Sequence, residues 1–358
     1  MSEHYEPHPD AIDMTREEAE ALVEQWWRAE DPDDELNEEQ ERLVDKTFEY
    51  CHRAFEFQEV ENYVLAARYY QKAVDLLETA NLGNNKYKVG KYMDLGISYY
   101  HASNYDMANR YLLRALEGYQ ARATRDDLSI SVVYTFLGHL YRDQEQFEIA
   151  IEFYKKALEV NISAGFRQFA ACTQNRIARC YRDAGDPDEA IEYYSMTLDM
   201  IDVVNMDTVG AYTGLACIYR DDEMFDEAIE CHQSAIETAE QLSGAESFEI
   251  ADEYNQIAIT YRHMGELTRA IEYYQRAIEI FEAQENVNRR KVARVLENLA
   301  MAYVYAEQMG NALECFGRLL PMLREIDGED DPHVAEIEEY MVEIDQSYHF
   351  GLSGVKPS

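Results

Sequence analysis

The sequence predicts an all-α solenoid of about seven helix pairs with a capping helix at each end. Three observations lead there. An aliphatic residue, a small residue and, three positions on, an aromatic recur every 38 to 42 residues. Twelve residues after each small residue stands another alanine, usually followed by a bulky residue four later. Only seven prolines occur in 358 residues, none between Pro32 and Pro187, and 47% of the chain is hydrophobic, which suits packed helices rather than disorder.

Residues 1–46 form an N-terminal tail and capping helices in this reading. Thr15 and Glu18 make a capping box that opens a helix through Trp26 and Trp27, and the acidic run Asp31 to Glu35 interrupts it. Both tryptophans either cover the open face of the first repeat or anchor a partner. The repeats occupy residues 47–323. Six copies read Leu95-Gly96 with Tyr99, Leu137-Gly138 with Tyr141, Ile177-Ala178 with Tyr181, Leu215-Ala216 with Tyr219, Ile257-Ala258 with Tyr261, and Leu299-Ala300 with Tyr303. The following alanines are Ala108, Ala150, Ala190, Ala228, Ala270 and Ala312, and a degenerate first copy reads Ala54, Phe57, Ala66, Tyr70 and Ala73. Residues 324–358 supply a C-terminal capping helix, opened by Pro332 and running to about Ser347, and a disordered tail from Gly351.

Spacings of three and four place each set on one helix face, and polar stretches such as Asp143 to Gln146 separate the two helices of a unit. Small residues let the paired helices approach, and the tyrosine fills the groove beside them. These residues resemble the motif of the tetratricopeptide repeat family from about Thr47 to Leu323, with two departures: the proline that often closes the unit is missing, and the unit exceeds the commoner length of about 34 residues. Either the helices or the linkers are longer. Long units of this kind are similar to those of kinesin light chains, cell-polarity adaptors and bacterial peptide receptors of the Rap type. The resemblance implies a right-handed superhelix and a protein or peptide as partner, bound in the concave groove by an adaptor or receptor; a Rap-like regulator of a response regulator is the alternative.

Composition narrows the partners. The net charge of −39, from 71 acidic and 32 basic residues, disfavours nucleic acid and anionic membrane. Cys51, Cys172, Cys180, Cys217, Cys231 and Cys315 show no metal-type spacing and read as small buried thiols, and the polar Met1 to Asp10 lacks an apolar signal region, so a cytoplasmic location is expected. No P-loop, GxSxG, HExxH or EF-hand pattern occurs, so neither an enzyme nor a cofactor or metal is expected. Oligomeric state is not legible.

In repeats of this family the first helix lines the groove, and its inward stripe falls three before, one after and four after the small residue. Here that stripe includes Asn175, Arg179 and Arg182; Thr213, Cys217 and Arg220; and Asn255, Ile259 and Arg262. Before them come Met93, Ile97 and Tyr100, then Thr135, His139 and Arg142. Arg142, Arg182, Arg220 and Arg262 hold one position in four consecutive units of an acidic chain. As binding residues they would fork onto carboxylates or phosphates of an acidic, extended segment, with Asn175 and Asn255 bonding its backbone and His139 as a contact. As structural residues they would pair with Asp143, Asp183 and Asp221 of neighbouring units and zip the stack. The family's clamp for C-terminal carboxylates uses lysines and asparagines on this face, and no lysine stands on the stripe here.

Overall fold

In the computed structural model, residues 37–80, 82–122, 126–200, 205–244, 247–284, 288–329 and 331–353 are described. Within them the backbone forms helices and turns and no strand. Seven helix pairs follow one another: α1 (Glu38–Glu59) with α2 (Tyr63–Thr79), α3 (Lys86–His101) with α4 (Tyr105–Gln120), α5 (Asp127–Arg142) with α6 (Phe147–Ser163), and α7 (Arg167–Ala184) with α8 (Pro187–Met200). Then come α9 (Met206–Asp221) with α10 (Phe225–Ser243), α11 (Phe248–His263) with α12 (Leu267–Ala283), α13 (Arg289–Tyr305) with α14 (Met309–Asp327), and a last helix, α15 (Pro332–Ser353). The long unit comes from long helices: α5 and α6 alone take 16 and 17 residues, which would fill a unit of about 34 residues without a turn.

Boundaries differ from the sequence reading at both ends. The first repeat opens at Glu38 rather than near Thr47, because Asn37 accepts the main-chain N–H of Glu39 and of Gln40 while the Gln40 side chain returns to the Asn37 N–H. The helix assigned to Thr15–Trp27 lies outside the described residues. At the other end α14 runs to Asp327, and α15 continues through Gly351 to Ser353 instead of ending near Ser347. Asp331 caps α15 by accepting the His333 N–H at 2.8 Å, and Val334, Ile337 and Ile344 bury against the last repeat.

One turn is built seven times. The carbonyl of the motif aromatic, Phe57, Tyr99, Tyr141, Tyr181, Tyr219, Tyr261 or Tyr303, accepts the N–H of the residue five further on. The next residue's carbonyl accepts from the residue three beyond it, for example Glu145 N–H to Arg142 O at 2.8 Å. This is a Schellman close, which needs a left-handed residue after the helix. Gly185 and Gly265 supply it freely at φ 92° and 79°, whereas Glu61, Ser103, Glu145, Glu223 and Glu307 adopt it at φ 56° to 62°. Each side chain there carries a left-handed cost of about 1–2 kcal/mol that glycine lacks, offset by glycine's extra unfolded-state entropy of about 0.5–1 kcal/mol. Glu145→Gly and Glu223→Gly are therefore each expected to raise stability by about 0.5–1 kcal/mol, read as a higher thermal midpoint; a lower midpoint for both would refute the strain.

The motif positions form the core. Leu95, Leu137, Ile177, Ala178, Ala216, Ala258 and Ala300 have no exposed surface, nor do Ala108, Ala150, Ala190, Ala228, Ala270 and Ala312. A Cβ on Gly138 would stand 2.5 Å from the ring of Tyr154, so the tyrosine ring of α6 lies directly on the α5 backbone there. The motif aromatic does more than fill a groove. It stacks on an aromatic of the second helix: Phe57 on Tyr69, Tyr99 on Tyr111, Tyr141 on Phe153, Tyr181 on Tyr193 and Tyr261 on Tyr273, with ring centroids 5.4 to 5.9 Å apart. In the fifth and seventh repeats Cys231 and Cys315 hold the partner position.

The chain divides into two compact units, one ending at Thr173 and the other beginning at Gln174, inside α7. The first has its core around Ala54, Val74, Leu95, Leu112 and Leu137, with a smaller cluster of Val44, Leu77 and Tyr87. The second has a core running from Val209 to Ile344 and another around Ala178, Tyr194 and Leu215. Cys180 and Cys315 are buried and the other four cysteines half-buried; burial pushes the Cys315 thiol up to about 11. No helix among the described residues is long and apolar enough to cross a membrane.

Candidate functional site

The first helices present three kinds of position on the face read as a binding stripe. Residues three before the small site latch one repeat to the next. Asn175 on α7 donates Nδ2 to the main-chain carbonyl of Asp207 on α9 at 2.7 Å, Thr213 on α9 donates to Glu253 on α11 at 2.5 Å, and Asn298 on α13 donates to Oδ1 of Asn255 on α11 at 3.4 Å. Asn175 and Asn255 are buried, at 8% and 1% exposure, so they are not the open backbone-binding amides the sequence suggested. The facing first helices approach too closely to leave them in solvent.

One residue after the small site the environments diverge. His139 is buried, with Nδ1 2.7 Å from the Tyr154 hydroxyl and its ring edge-on to Phe136, so it packs α5 on α6 rather than facing a groove. Arg179 is exposed, and Cys217 is half-buried. Burial raises the Cys217 pKa, while Arg220 and Arg182 act to lower it.

Four residues after the small site stands the arginine ladder, and there the side chains are half-buried. Each aspartate pairs with the arginine directly before it, not with a neighbouring unit. Asp143 Oδ1 accepts Nη2 of Arg142 at 2.9 Å, Asp183 Oδ1 that of Arg182 at 2.8 Å, and Asp221 Oδ1 that of Arg220 at 3.0 Å, with Nε of each arginine bonded to the same oxygen. The zipping expectation is thus corrected: a one-residue separation at the helix end brings the two groups together. The carboxylate of Asp143 does reach the preceding repeat, accepting the Tyr100 hydroxyl at 2.6 Å. Arg142 stays above its ordinary pKa although burial opposes it, because Tyr154, Asp143 and Tyr100 outweigh the burial; Arg182 behaves likewise through Tyr194 and Asp183.

The ladder position lies in the last turn of each first helix, where a cation complements the carbonyl end of the helix by about 0.3–1 kcal/mol. That local preference accounts for a positive residue but not for its excess. Of the four arginines Arg179, Arg182, Arg220 and Arg262 of the second unit, Arg182 and Arg220 pair with the aspartates that follow them, Asp183 and Asp221. Arg179 and Arg262 have no ion pair among the described residues, and the Arg262 guanidinium lies against the Tyr274 hydroxyl.

Behind this face lies a polar core contact that the sequence reading missed. His232 on α10 stands where the third, fourth and sixth repeats carry Tyr154, Tyr194 and Tyr274. Its Nδ1 is 2.6 Å from Oε2 of Glu253, whose other oxygen takes the Thr213 hydroxyl; both residues are buried. The departure from the repeat pattern at position 232 was the available signal. Among the described residues no group of three or more His, Cys, Asp and Glu side chains could hold a metal ion.

The tetratricopeptide repeat family matches the chain over residues 87–163, 129–202, 169–241, 207–283 and 249–325. No curated protein matches it. Among solved structures, aspartyl phosphate phosphatase F from Bacillus subtilis is similar at 14% identity, covering 90% of this chain and 88% of that one, with a TM-score of 0.61. The apo form of RapI is similar at 13% identity, 78% and 98% coverage and a TM-score of 0.58. A tetratricopeptide repeat protein from Parabacteroides merdae is similar at 16% identity, 83% and 98% coverage and a TM-score of 0.56. At these identities the likeness is one of fold. With the overlapping matches spanning more than half of its length, the chain belongs to the tetratricopeptide repeat family.

Proposed function

We propose that the protein is a polypeptide-binding scaffold or receptor, and that the first-helix face of its second unit, from Arg179 to Arg262, receives an extended acidic segment. One observation carries this reading: that face holds four arginines, two of them paired with a neighbouring aspartate and two without an ion pair among the described residues, in a chain of net charge −39. Arg142 holds the same position on the first unit. Arginine's fork matches a carboxylate in two parallel bonds, and the aspartate beside Arg182 or Arg220 is a carboxylate that an incoming one can replace. The family match and the absence of a catalytic motif support a binding rather than an enzymatic role.

Arg182→Glu combined with Arg220→Glu is expected to weaken binding of a fluorescent glutamate-rich peptide at least about 100-fold by anisotropy, since two attractions become repulsions. The circular-dichroism melt should stay within a few degrees of the parent. Unchanged affinity would remove the face from the reading, and a large fall in the melt would mark the arginines as structural. The likeness to aspartyl phosphate phosphatase F and RapI favours a second reading, a regulator that binds a response regulator or a signalling peptide. A receiver domain that binds in the same assay and is unaffected by the double variant would support it over the first.

A further inference from the structure

We propose that Arg220, Gln256, Arg262 and His263 form a subsite for a phosphoryl group carried on the bound peptide, which rests on the peptide-receptor reading above. At three of the four arginine rungs the next residue is an aspartate that accepts from the guanidinium. At the fourth it is His263, and Arg262 has no ion pair among the described residues. Arg220 is tied to the same place: beyond its bonds to Asp221 it donates Nη1 to Oε1 of Gln256 at 3.1 Å, on α11, the helix that carries Arg262. Both guanidiniums act on His263. Its pKa lies below the ordinary value through partial burial first, then Arg262 and Arg220, with the Asp221 carboxylate opposing them. Two guanidiniums from different helices and an imidazole thus share one corner with one exposed aspartate.

A carboxylate is satisfied by a single arginine fork and carries one charge. A phosphomonoester brings about −1.5 to −2 charges and three acceptor oxygens, enough to engage both guanidiniums and leave an oxygen for His263. Arg179 and Arg182, on α7, would hold the acidic residues to one side of the phosphoryl group.

The test uses the full chain and three fluorescent peptides that differ at one central residue, serine, glutamate or phosphoserine, within a glutamate-rich sequence. The phosphopeptide is expected to bind at least about tenfold more tightly than the glutamate peptide at physiological salt. Arg262→Gln should weaken all three peptides but the phosphopeptide at least about tenfold more than the glutamate peptide, which erases the preference; Arg179→Gln should weaken all three alike. Equal binding of the phosphoserine and glutamate peptides, or a preference that survives Arg262→Gln, overturns the subsite and leaves the receptor reading standing. Failure of all three peptides to bind overturns both. Inorganic phosphate that binds as tightly as the phosphopeptide would assign the corner to a free anion and overturn the peptide-borne source.

Discussion

Replacing His232 by leucine is expected to destabilise the protein by about 3–5 kcal/mol, the range for breaking a buried pair from one side. His232 and Glu253 are both buried, and the imidazole supplies one of the two bonds that the carboxylate makes. Leucine removes that bond and leaves the carboxylate of Glu253 against an apolar side chain, with only the Thr213 hydroxyl still donating to it. The paired change His232→Tyr with Glu253→Val should recover most of the loss. It restores what other repeats hold at these places, Tyr154 or Tyr274 in the second helix and Val133 or Val295 in the first. Urea unfolding of the single and double variants reads the coupling directly. A single variant with an unchanged midpoint would show that the pair carries no weight.

Tyr154→Ala should cost about 3–5 kcal/mol, because its ring is fully buried and no side chain on Gly138 can move in to fill the space. Tyr154→Phe keeps the ring and removes only the hydroxyl bonded to His139, so its expected cost is about 0.5–1.5 kcal/mol. Thermal unfolding distinguishes the two by the ratio of their effects. Similar losses for both would mean that the hydroxyl, not the ring, holds α5 on α6.

Most of the architecture was legible because packing against a neighbouring helix constrains residue size, and size shows in a single sequence. Every small site read from the pattern is buried in place, and seven pairs were expected and found. The start of the first repeat was not legible, since α1 begins with the polar run Asn37 to Arg42, whose capping bonds rather than apolar spacing set the helix end. The stripe was legible only in part. Its outermost position, four after the small site, does carry the half-buried arginines, but Asn175, Asn255 and His139 turn into the structure. A helical-face argument fixes a direction around one helix axis; it does not say how near the next repeat comes, and that distance decides whether an amide meets solvent or a neighbour's carbonyl. The aspartates posed a similar problem. Adjacency in sequence and adjacency between units predict different partners, and the turn geometry selects the first.

The seven identical helix closes engage only the main chain of the residue four beyond the small site. Gln58, Tyr100, Arg142, Arg182, Arg220, Arg262 and Val304 all give their carbonyl oxygen to the same local bond. The turn therefore asks nothing of their side chains beyond tolerance of a helix end, although Gln58, Tyr100 and Arg220 also reach other helices, and the seven closes behave as a fixed page under a varied alphabet. A new letter at an arginine rung can be set without renegotiating the turn beneath it, so recognition can drift, or be redesigned, rung by rung while the helix close stays constant.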